Sequence, residues 1–202
     1  MRARRFGDQA LLLECASVDE VRRVDAEARR RRADGRLRCA DVVPGALTVL
    51  LDGLEDPAQV RSALEDWSLD DVETDERREV ELAVTYDGPD LEGVAEHCGL
   101  SVDDLVQRLR ATEYVVAFCG FAPGFAYLSG LPDELHVPRL ESPRTSVPAG
   151  SVGLAGGFAG IYPTSSPGGW RLVARTREVL WRTDREPPAL LTPGTVVRLR
   201  DE

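Results

Sequence analysis

Two arginines, Arg139 and Arg144, each follow a proline directly in the segment HVPRLESPRTSVPAG, residues 136–150. Because proline fixes φ, the backbone that carries both guanidinium groups has little conformational freedom. A guanidinium group is planar and can donate two parallel hydrogen bonds to a carboxylate or a phosphate. The pattern therefore predicts a binding site for a small anion, with Arg139 and Arg144 as its charged contacts.

The charge balance around this segment favours the same chemistry. Residues 114–176 carry three acidic side chains and four arginines, in a chain whose formal net charge is −10. Glycine-rich turns lie in the same region, and glycine allows backbone N–H groups to approach an anion closely. The predicted anion contacts beyond the two arginines are Gly150, Ser151, Tyr162, Ser166, Gly168 and Gly169.

The stretch FCGFAPGFAYLSGLP, residues 118–132, alternates aromatic side chains with glycine and proline. This combination predicts a strand that ends at Gly120 and a turn at Pro123-Gly124. The aromatic rings after the turn are expected to line either a ligand pocket or a partner interface. The residues predicted for this pocket or interface are Phe121, Pro123, Phe125, Tyr127, Pro163 and Trp170.

Several kinds of catalytic group are excluded, and the catalytic residues stay unassigned. Ser151 lacks the flanking glycine of a G-x-S-x-G nucleophile elbow. The two histidines, His97 and His136, have no ligand-like spacing to the four cysteines, so no metal site is predicted. All 25 basic residues are arginine, which excludes a phosphate-loop lysine, a Schiff-base lysine and a biotin-bearing lysine on this chain.

The first of two predicted domains, residues 1–85, has the element order β-α-β-β-α-β. Its first strand is QALLLEC and its last strand is VELAVTY, residues 80–86. Ser17 and Glu20 form a capping box before the first helix, and Asp56-Pro57 begins the second helix. This order predicts a small ferredoxin-like α/β domain.

The second predicted domain, residues 86–202, begins with two helices. The segment 90–110 has helical periodicity interrupted at Gly99, which predicts a helical hairpin. Asp103 and Asp104 would face DNA in a helix-turn-helix, so this use is disfavoured. The short β-like runs after residue 113, including EVLWR at 178–182, predict an antiparallel barrel or sandwich. The fold class is therefore α+β.

Charge and hydropathy also restrict the partners and the location. A net charge of −10 disfavours binding to nucleic acid or to anionic membranes. No apolar run approaches the length needed to cross a bilayer, and the first residues do not read as a signal peptide. We therefore expect a cytoplasmic protein.

Four ordered motifs resemble the allophanate hydrolase subunit 1 family. That family includes the B subunit of bacterial ATP-dependent 5-oxoprolinase and the Kip-type inhibitor of a sporulation histidine kinase. The similarity extends into the N-terminal half, and Ala126 stands where the family pattern has proline. The four motifs are GFAPGFAYLSGLP, VPRLESPRTSVPAGSVGLAGG, GIYPTSSPGGWRLVART and PALLTPGTVVRLR.

The resemblance implies a cyclophilin-like β-barrel after the small α/β domain. It also implies a B subunit that acts with the A and C subunits to open 5-oxoproline to glutamate, with ATP bound together with a partner subunit. The C subunit is the allophanate hydrolase subunit 2 protein. Two alternatives stay open, namely a regulatory inhibitor of a sensor histidine kinase and a carboxyltransferase component for a urea-like substrate.

Overall fold

The computed structural model describes residues 1–69 and 78–202. The chain forms two compact units, Met1–Glu76 and Arg77–Glu202. Most of the acidic stretch that precedes the predicted strand at 80–86 lies outside the described residues. In the part of the chain that the structure describes, no helix has the length and apolar character needed to span a membrane.

The first unit contains a four-stranded sheet and two helices. Its strands are β1 (Arg2–Arg5), β2 (Leu11–Glu14), β3 (Asp41–Pro44) and β4 (Thr48–Asp52). Its helices are α1 (Val18–Ala33) and α2 (Pro57–Ala63), and a 3-10 turn at Leu64–Asp66 follows α2. The strands pair antiparallel in the order β1-β2-β4-β3.

The helix starts of the first unit confirm the predicted caps. The Ser17 hydroxyl accepts a hydrogen bond from the Glu20 amide at 3.1 Å, and the Glu20 carboxylate accepts one from the Ala16 amide at 2.6 Å. The Asp56 carboxylate accepts hydrogen bonds from the first turn of α2, directly before Pro57. These side chains satisfy N–H groups that have no partner inside the helix.

The strand composition of the first unit differs from the prediction. The predicted last strand, VELAVTY, pairs in the sheet of the second unit. The predicted domain boundary after residue 85 therefore lies on the C-terminal side of a strand that is part of the second unit. The edge position beside β2 is taken by β1, which the sequence pattern does not predict. Three of the four β1 residues are arginine, a composition without strong strand propensity, and pairing with β2 supplies the missing stability.

The second unit is built mainly of strands. Its helices are α3 (Leu91–His97) and α4 (Val102–Ala111), with a 3-10 turn at Asp133–Leu135. Five strands precede the segment 157–202: β5 (Glu79–Val84), β6 (Tyr114–Cys119), β7 (Ala126–Ser129), β8 (Arg144–Val147) and β9 (Ser151–Ala155). The remaining strands are β10 (Phe158–Ile161), β11 (Ser166–Gly168), β12 (Arg171–Arg175) and β13 (Val196–Asp201).

Seven of these strands form a barrel-like sheet in the order β12-β9-β10-β7-β6-β13-β5. Its two edge strands meet where Thr85 and Arg175 exchange backbone hydrogen bonds of 2.8 and 2.9 Å. The predicted barrel is confirmed, but it is not wholly antiparallel, because β5 and β13 run parallel. The remaining strands, β8 and β11, form a separate pair.

The helical hairpin is confirmed, whereas one predicted strand is wrong. Helices α3 and α4 meet near Gly99, and the Ser101 hydroxyl caps α4 by accepting from the Asp104 amide at 3.1 Å. The run EVLWR does not form a strand and makes only one isolated bridge, between Trp181 and Ala189. Its run of apolar and aromatic residues is typical of a strand, but it finds no extended partner along its length.

Candidate functional site

The loop between β6 and β7 contains two tight turns in succession. The Ala122 amide donates to the Gly120 carbonyl at 2.9 Å, which closes a three-residue γ-turn around Phe121. Phe121 has φ 70°, a conformation that costs energy for any residue with a side chain. The Phe125 amide then donates to the Ala122 carbonyl at 3.0 Å, with Gly124 at φ 84°. This second turn is the predicted Pro123-Gly124 turn, with the proline and glycine positions of type II.

The rings that follow these turns pack into one cluster, which we call the aromatic cluster. Phe125 lies at its centre, with its ring centroid 5.0–5.6 Å from the rings of four neighbours and steeply inclined to each. Such edge-to-face pairs stabilise packing beyond their area of contact. The members of the aromatic cluster are Phe118, Phe121, Phe125, Tyr127, Phe158, Tyr162 and Trp170.

Glycines on the neighbouring strands make room for these rings. A methyl group at Gly160 would lie 2.9 Å from Trp170 Cζ3 and 3.0 Å from Phe125 Cζ. A methyl group at Gly168 would overlap the Tyr162 hydroxyl. The glycine-rich sequence therefore serves close packing of aromatic side chains, and this use does not require anion contact.

The backbone donors predicted in the glycine loop are partly occupied within the protein. The Gly150 amide donates to the Tyr162 carbonyl at 2.7 Å, and the Tyr162 amide donates to the Ser151 carbonyl at 3.0 Å. The Gly169 carbonyl accepts from the Leu140 amide at 2.7 Å. Gly150 is thus corrected from an anion donor to a close-packing position, because its one N–H group is already used.

Arg144 lies at the start of β8 and forms an ion pair that the sequence pattern does not reveal. Its Nη2 donates to Asp90 Oδ1 at 2.7 Å, and its Nη1 approaches the Trp170 carbonyl at 3.5 Å. Asp90 Oδ2 accepts from the Leu172 amide at 2.7 Å, so the carboxylate is held on both sides. The side chains of Arg144 and Asp90 are 28% and 11% exposed. The guanidinium group is therefore oriented, yet still reachable from solvent.

Asp90 is the functional candidate that sequence reasoning missed. It precedes α3 and reads as a helix cap, but its side chain makes no capping hydrogen bond. The carboxylate instead joins the start of α3 to Arg144 and to β12. A capping position whose side chain turns away from the helix gives no signal in the sequence.

Both predicted arginines influence the pKa of the Tyr162 hydroxyl through their charge. Burial raises the pKa of Tyr162, while a backbone hydrogen bond from Trp170 and the positive charges of Arg139 and Arg144 act in the opposite direction. Gly168, which lies against this hydroxyl, is also the register partner of Arg144. Arg139 is exposed, on a turn that Arg171 contacts through the Pro138 carbonyl at 3.3 Å. The positive charges of Arg139 and Arg144 thus both act on the pKa of one buried phenol.

Other residues that the sequence analysis names differ in how far they are buried. Ser166 Oγ is a buried hydroxyl without a hydrogen-bond partner among the described residues. Pro163 is half-buried and lies beside Gly124, whereas Pro123 is exposed. Ala126, the departure from the family pattern, is buried in the barrel core, so it does not line the pocket wall.

An exposed apolar patch adjoins the aromatic cluster. Phe121 is 62% exposed, and Val179 and Trp181 are also exposed. A methyl group at Gly124 would lie 2.9 Å from Trp181 Cβ, so the loop of Phe121 and the segment of Trp181 are neighbours. We call Phe121, Pro123, Val179 and Trp181 the apolar patch. Exposed aromatic side chains grouped in this way are typical of protein interfaces.

The thiols in the described residues are poor nucleophiles. Burial raises the pKa of Cys119 to about 11, and burial together with the charge of Glu20 does the same for Cys15. A thiol with such a pKa is protonated near neutral pH and therefore unreactive. In residues 1–69 and 78–202, no group of three or more histidine, cysteine, aspartate or glutamate side chains is placed to hold a metal ion.

Residues 1–191 match the family described as carboxyltransferase domain, subdomain C and D. A 5-oxoprolinase B subunit from Escherichia coli O157:H7 is 47% identical over 135 residues, which cover 65% of this chain and 62% of the relative. One from Bacillus subtilis is 47% identical over 125 residues, 60% of this chain and 52% of the relative. One from Haemophilus influenzae is 38% identical over 189 residues, 91% of this chain and 88% of the relative. The matched segment is thus less than two thirds of the first two relatives and most of the third.

Solved structures share the fold at two levels of identity. TTHA0988 superposes with a TM-score of 0.79 at 32% identity, over 96% of this chain and 40% of that one. PH0987 from Pyrococcus horikoshii superposes with a TM-score of 0.60 at 34% identity, over 100% of this chain and 97% of that one. The Kluyveromyces lactis urea amidolyase reaches 0.75 at 18% identity, over 99% of this chain and 15% of that one, a likeness of fold alone. These likenesses confirm the predicted fold class.

Proposed function

Because this chain belongs to the family of the carboxyltransferase domain, subdomain C and D, we propose that it acts as the B subunit of an ATP-dependent 5-oxoprolinase. In this role it contributes to opening the lactam of 5-oxoproline, which yields glutamate, together with the A and C subunits. The observation that carries the proposal is the match to the Haemophilus influenzae 5-oxoprolinase B subunit over most of both chains.

The site around Tyr162 supplies contacts for an anionic substrate. 5-Oxoproline carries one carboxylate, and ATP carries phosphates, and either group fits a guanidinium donor. Arg144 has donors left after its contacts with Asp90 and the Trp170 carbonyl, because a guanidinium group carries five N–H donors. Arg139 adds a positive charge that Asp90 does not neutralise. These residues bind and orient; proton transfer is not assigned to any of them.

ATP is proposed to bind together with a partner subunit. This chain has no lysine, and its glycine loop is occupied by aromatic rings and internal hydrogen bonds. Arg139 and Arg144 are suited to contact a phosphate from one side of a shared site. The apolar patch supports a protein partner, since a strained turn holds the Phe121 ring out in solvent.

The test is coupled turnover with purified A and C subunits, measured as ATP-dependent release of glutamate from 5-oxoproline. We expect no glutamate release when this chain is omitted. Arg144→Ala should lower kcat/KM by about tenfold to a hundredfold, since a charged hydrogen bond contributes about 1.5–3 kcal/mol. Arg144→Lys should restore little, because lysine lacks the planar pair of donors.

A matched control separates this effect from general loss of charge. Arg200 pairs with Glu81 at 3.1 Å on the exposed face of the barrel. Arg200→Ala removes the same charge and should leave turnover unchanged. Turnover that continues without this chain, or that Arg144→Ala leaves intact, would contradict the proposal.

The apolar patch also favours the regulatory alternative, an inhibitor of a sensor histidine kinase. Pull-down with the intact chain distinguishes the two roles. Recovery of a kinase with dose-dependent loss of its autophosphorylation supports the regulatory role, whereas recovery of the A and C subunits supports the hydrolase. A neighbouring biotin carboxylase gene would instead favour the carboxyltransferase alternative.

A further inference from the structure

The first unit contains an open groove of about 690 Å³ that is separate from the site around Tyr162. One wall is β1, which contributes all four of its residues. The groove is also lined by the end of α2 and the chain after it, with Arg61, Leu64 and Trp67. The groove therefore follows the length of one strand.

That strand has an unused edge. In the sheet order β1-β2-β4-β3, β1 is outermost, and among the described residues it pairs only with β2. The backbone N–H and C=O groups on the outer edge of a terminal strand can pair with an added extended chain. An edge strand that forms the wall of a groove is the arrangement used when a peptide adds to a sheet.

The two faces of β1 differ in chemistry. Side chains alternate along a strand, so Arg2 and Arg4 lie on one face and Ala3 and Arg5 on the other. Ala3 pairs with the buried Leu13 and packs against the core that includes Leu64 and Trp67. A peptide strand beside β1 would therefore meet Arg2 and Arg4 on one face. On the other face it would meet Ala3 and the apolar side chains that Ala3 packs against, with Arg5 at the end of the strand.

The charge of the groove selects the kind of peptide. Four arginines line it against two acidic side chains, Glu20 and Glu65, in a protein with net charge −10. Arg4 also pairs with Glu14 on β2 at 2.9 Å, which leaves its other N–H groups for a ligand. A second copy of β1 would place arginines beside arginines, and like charges opposite each other are destabilising. An acidic segment is complementary, because each carboxylate can pair with a guanidinium group.

We propose that this groove binds an extended segment of a partner protein in which acidic and apolar residues alternate. The segment adds to β1 as a fifth strand of the first sheet. Its acidic side chains lie beside Arg2 and Arg4, and its apolar side chains lie beside Ala3 and over Trp67. Main-chain hydrogen bonds supply affinity, and the alternation supplies specificity.

The test uses the full chain and a fluorescein-labelled octapeptide of alternating glutamate and valine, with binding measured by fluorescence anisotropy. We expect saturable binding that weakens by about tenfold or more when one central valine is replaced by proline, which removes a ladder donor without changing charge. The peptide of alternating lysine and valine should not bind. Equal binding of the lysine peptide or of the proline peptide would overturn the proposal.

Variants of the chain locate the site. Arg2→Glu combined with Arg61→Glu should weaken binding by about tenfold, because opposite charges become like charges at short range. Arg38→Glu changes a charge of the same unit outside the groove, where Arg38 pairs with Glu55, and should have little effect. Hydrogen exchange should slow at the amides of Arg2–Arg5 when the glutamate peptide is added, and protection confined to other strands would contradict strand addition.

Two other occupants are tested directly. Asp70, Asp71 and Glu73 follow Leu69 in the sequence. Tighter peptide binding by the variant Asp70→Asn, Asp71→Asn and Glu73→Gln would assign the groove to the chain itself and overturn the proposal. Size-exclusion chromatography that shows a dimer lost in Arg2→Glu would assign the groove to a second copy. Turnover with the A and C subunits is independent of these outcomes.

Discussion

Two of the carboxylates that pair with arginine, Glu27 and Asp90, differ in the sequence distance to their partners. Glu27 in α1 contacts Arg30 and Arg31, three and four residues later, at 2.5 Å each. Asp90 contacts Arg144, 54 residues later, at 2.7 Å. The first arrangement is made within one helix, whereas the second joins segments that meet only in the folded barrel.

The difference in burial indicates a difference in role. Glu27 is fully buried, and Arg31 lies over the Trp67 ring at 5.1 Å, so this group of side chains faces the interior of the first unit. Arg144 keeps part of its guanidinium group in solvent. We infer that the local arrangement stabilises the fold and that the long-range arrangement orients a group for binding.

The largest expected effect is on the local arrangement. Glu27→Ala leaves Arg31 without its buried partner, and the free energy of unfolding should fall by about 3–5 kcal/mol, as for other broken buried pairs. This loss is measured by urea denaturation, with amide hydrogen exchange in the first unit as the readout of unfolding. Asp19→Ala, which removes an exposed pair with Arg22, is the control and should change stability little. Equal losses in both variants would remove the contrast between the two arrangements.

The pH dependence of the same variant gives a second check. Burial raises the pKa of Glu27, but hydrogen bonds from Arg31 and Arg30 outweigh it and hold the pKa below the ordinary value of 4.5. Because the folded state has the lower pKa, the carboxylate stabilises the fold at higher pH and loses this effect as the pH falls below about 4.5. The stability gap between wild type and Glu27→Ala should therefore shrink on acidification, and a gap that widens would contradict this sign.

The next effect concerns the packing that surrounds Arg144. Gly168→Ala places a methyl group against the Tyr162 hydroxyl, and overpacking of this kind costs about 1–3 kcal/mol. Gly93→Ala is the matched control, since nothing lies within 4 Å of the added methyl group in α3. It should raise stability by up to about 1 kcal/mol, because alanine is the better helix former. Thermal unfolding of both variants measures the difference, and a harmless Gly168→Ala would show that the aromatic cluster tolerates movement.

A smaller effect is expected from the long-range pair itself. Asp90→Asn keeps the shape of the side chain but removes the charge that orients Arg144, and kcat/KM for 5-oxoproline should fall by about tenfold. Asp90→Glu should recover part of the loss, and Asp90→Asn should add little to Arg144→Ala. Asp87→Asn, which breaks an exposed pair with Arg175 nearby, is the control. Fully additive losses would mean that Asp90 does not act through Arg144.

What could be predicted from the sequence follows the same division between local and distant contacts. The caps at Ser17 and Asp56, the helical hairpin around Gly99 and the turn at Pro123-Gly124 are fixed by residues close together in the chain, and all are confirmed. The family resemblance also predicts the β-barrel of the second unit. Such caps and turns can be predicted because the residues that form them lie within a few positions of each other in the sequence.

The features that could not be predicted depend on contacts between residues that are far apart in the sequence. Alternation identifies VELAVTY as a strand but does not say which sheet it joins. The sequence therefore predicts this strand in the first unit, whereas β5 pairs with β13 in the second. Glycine signals either an anion nest or room for a ring, and only the packed structure shows Tyr162 against Gly168. The role of Asp90 has no signal in the sequence, because its partner Arg144 lies 54 residues further along the chain.

The smallest expected effect lies in the turn that presents Phe121, where local strain and distant contact meet. Phe121→Ala and Phe121→Gly both remove the exposed ring, but only glycine adopts φ 70° without steric cost. Phe121→Gly should therefore be more stable to urea than Phe121→Ala by about 1 kcal/mol. If the ring contacts a partner protein, both variants should weaken association with the C subunit to the same extent, since both lose the same contact. Equal stabilities would show that the turn is not strained, and unchanged association would remove Phe121 from the proposed interface.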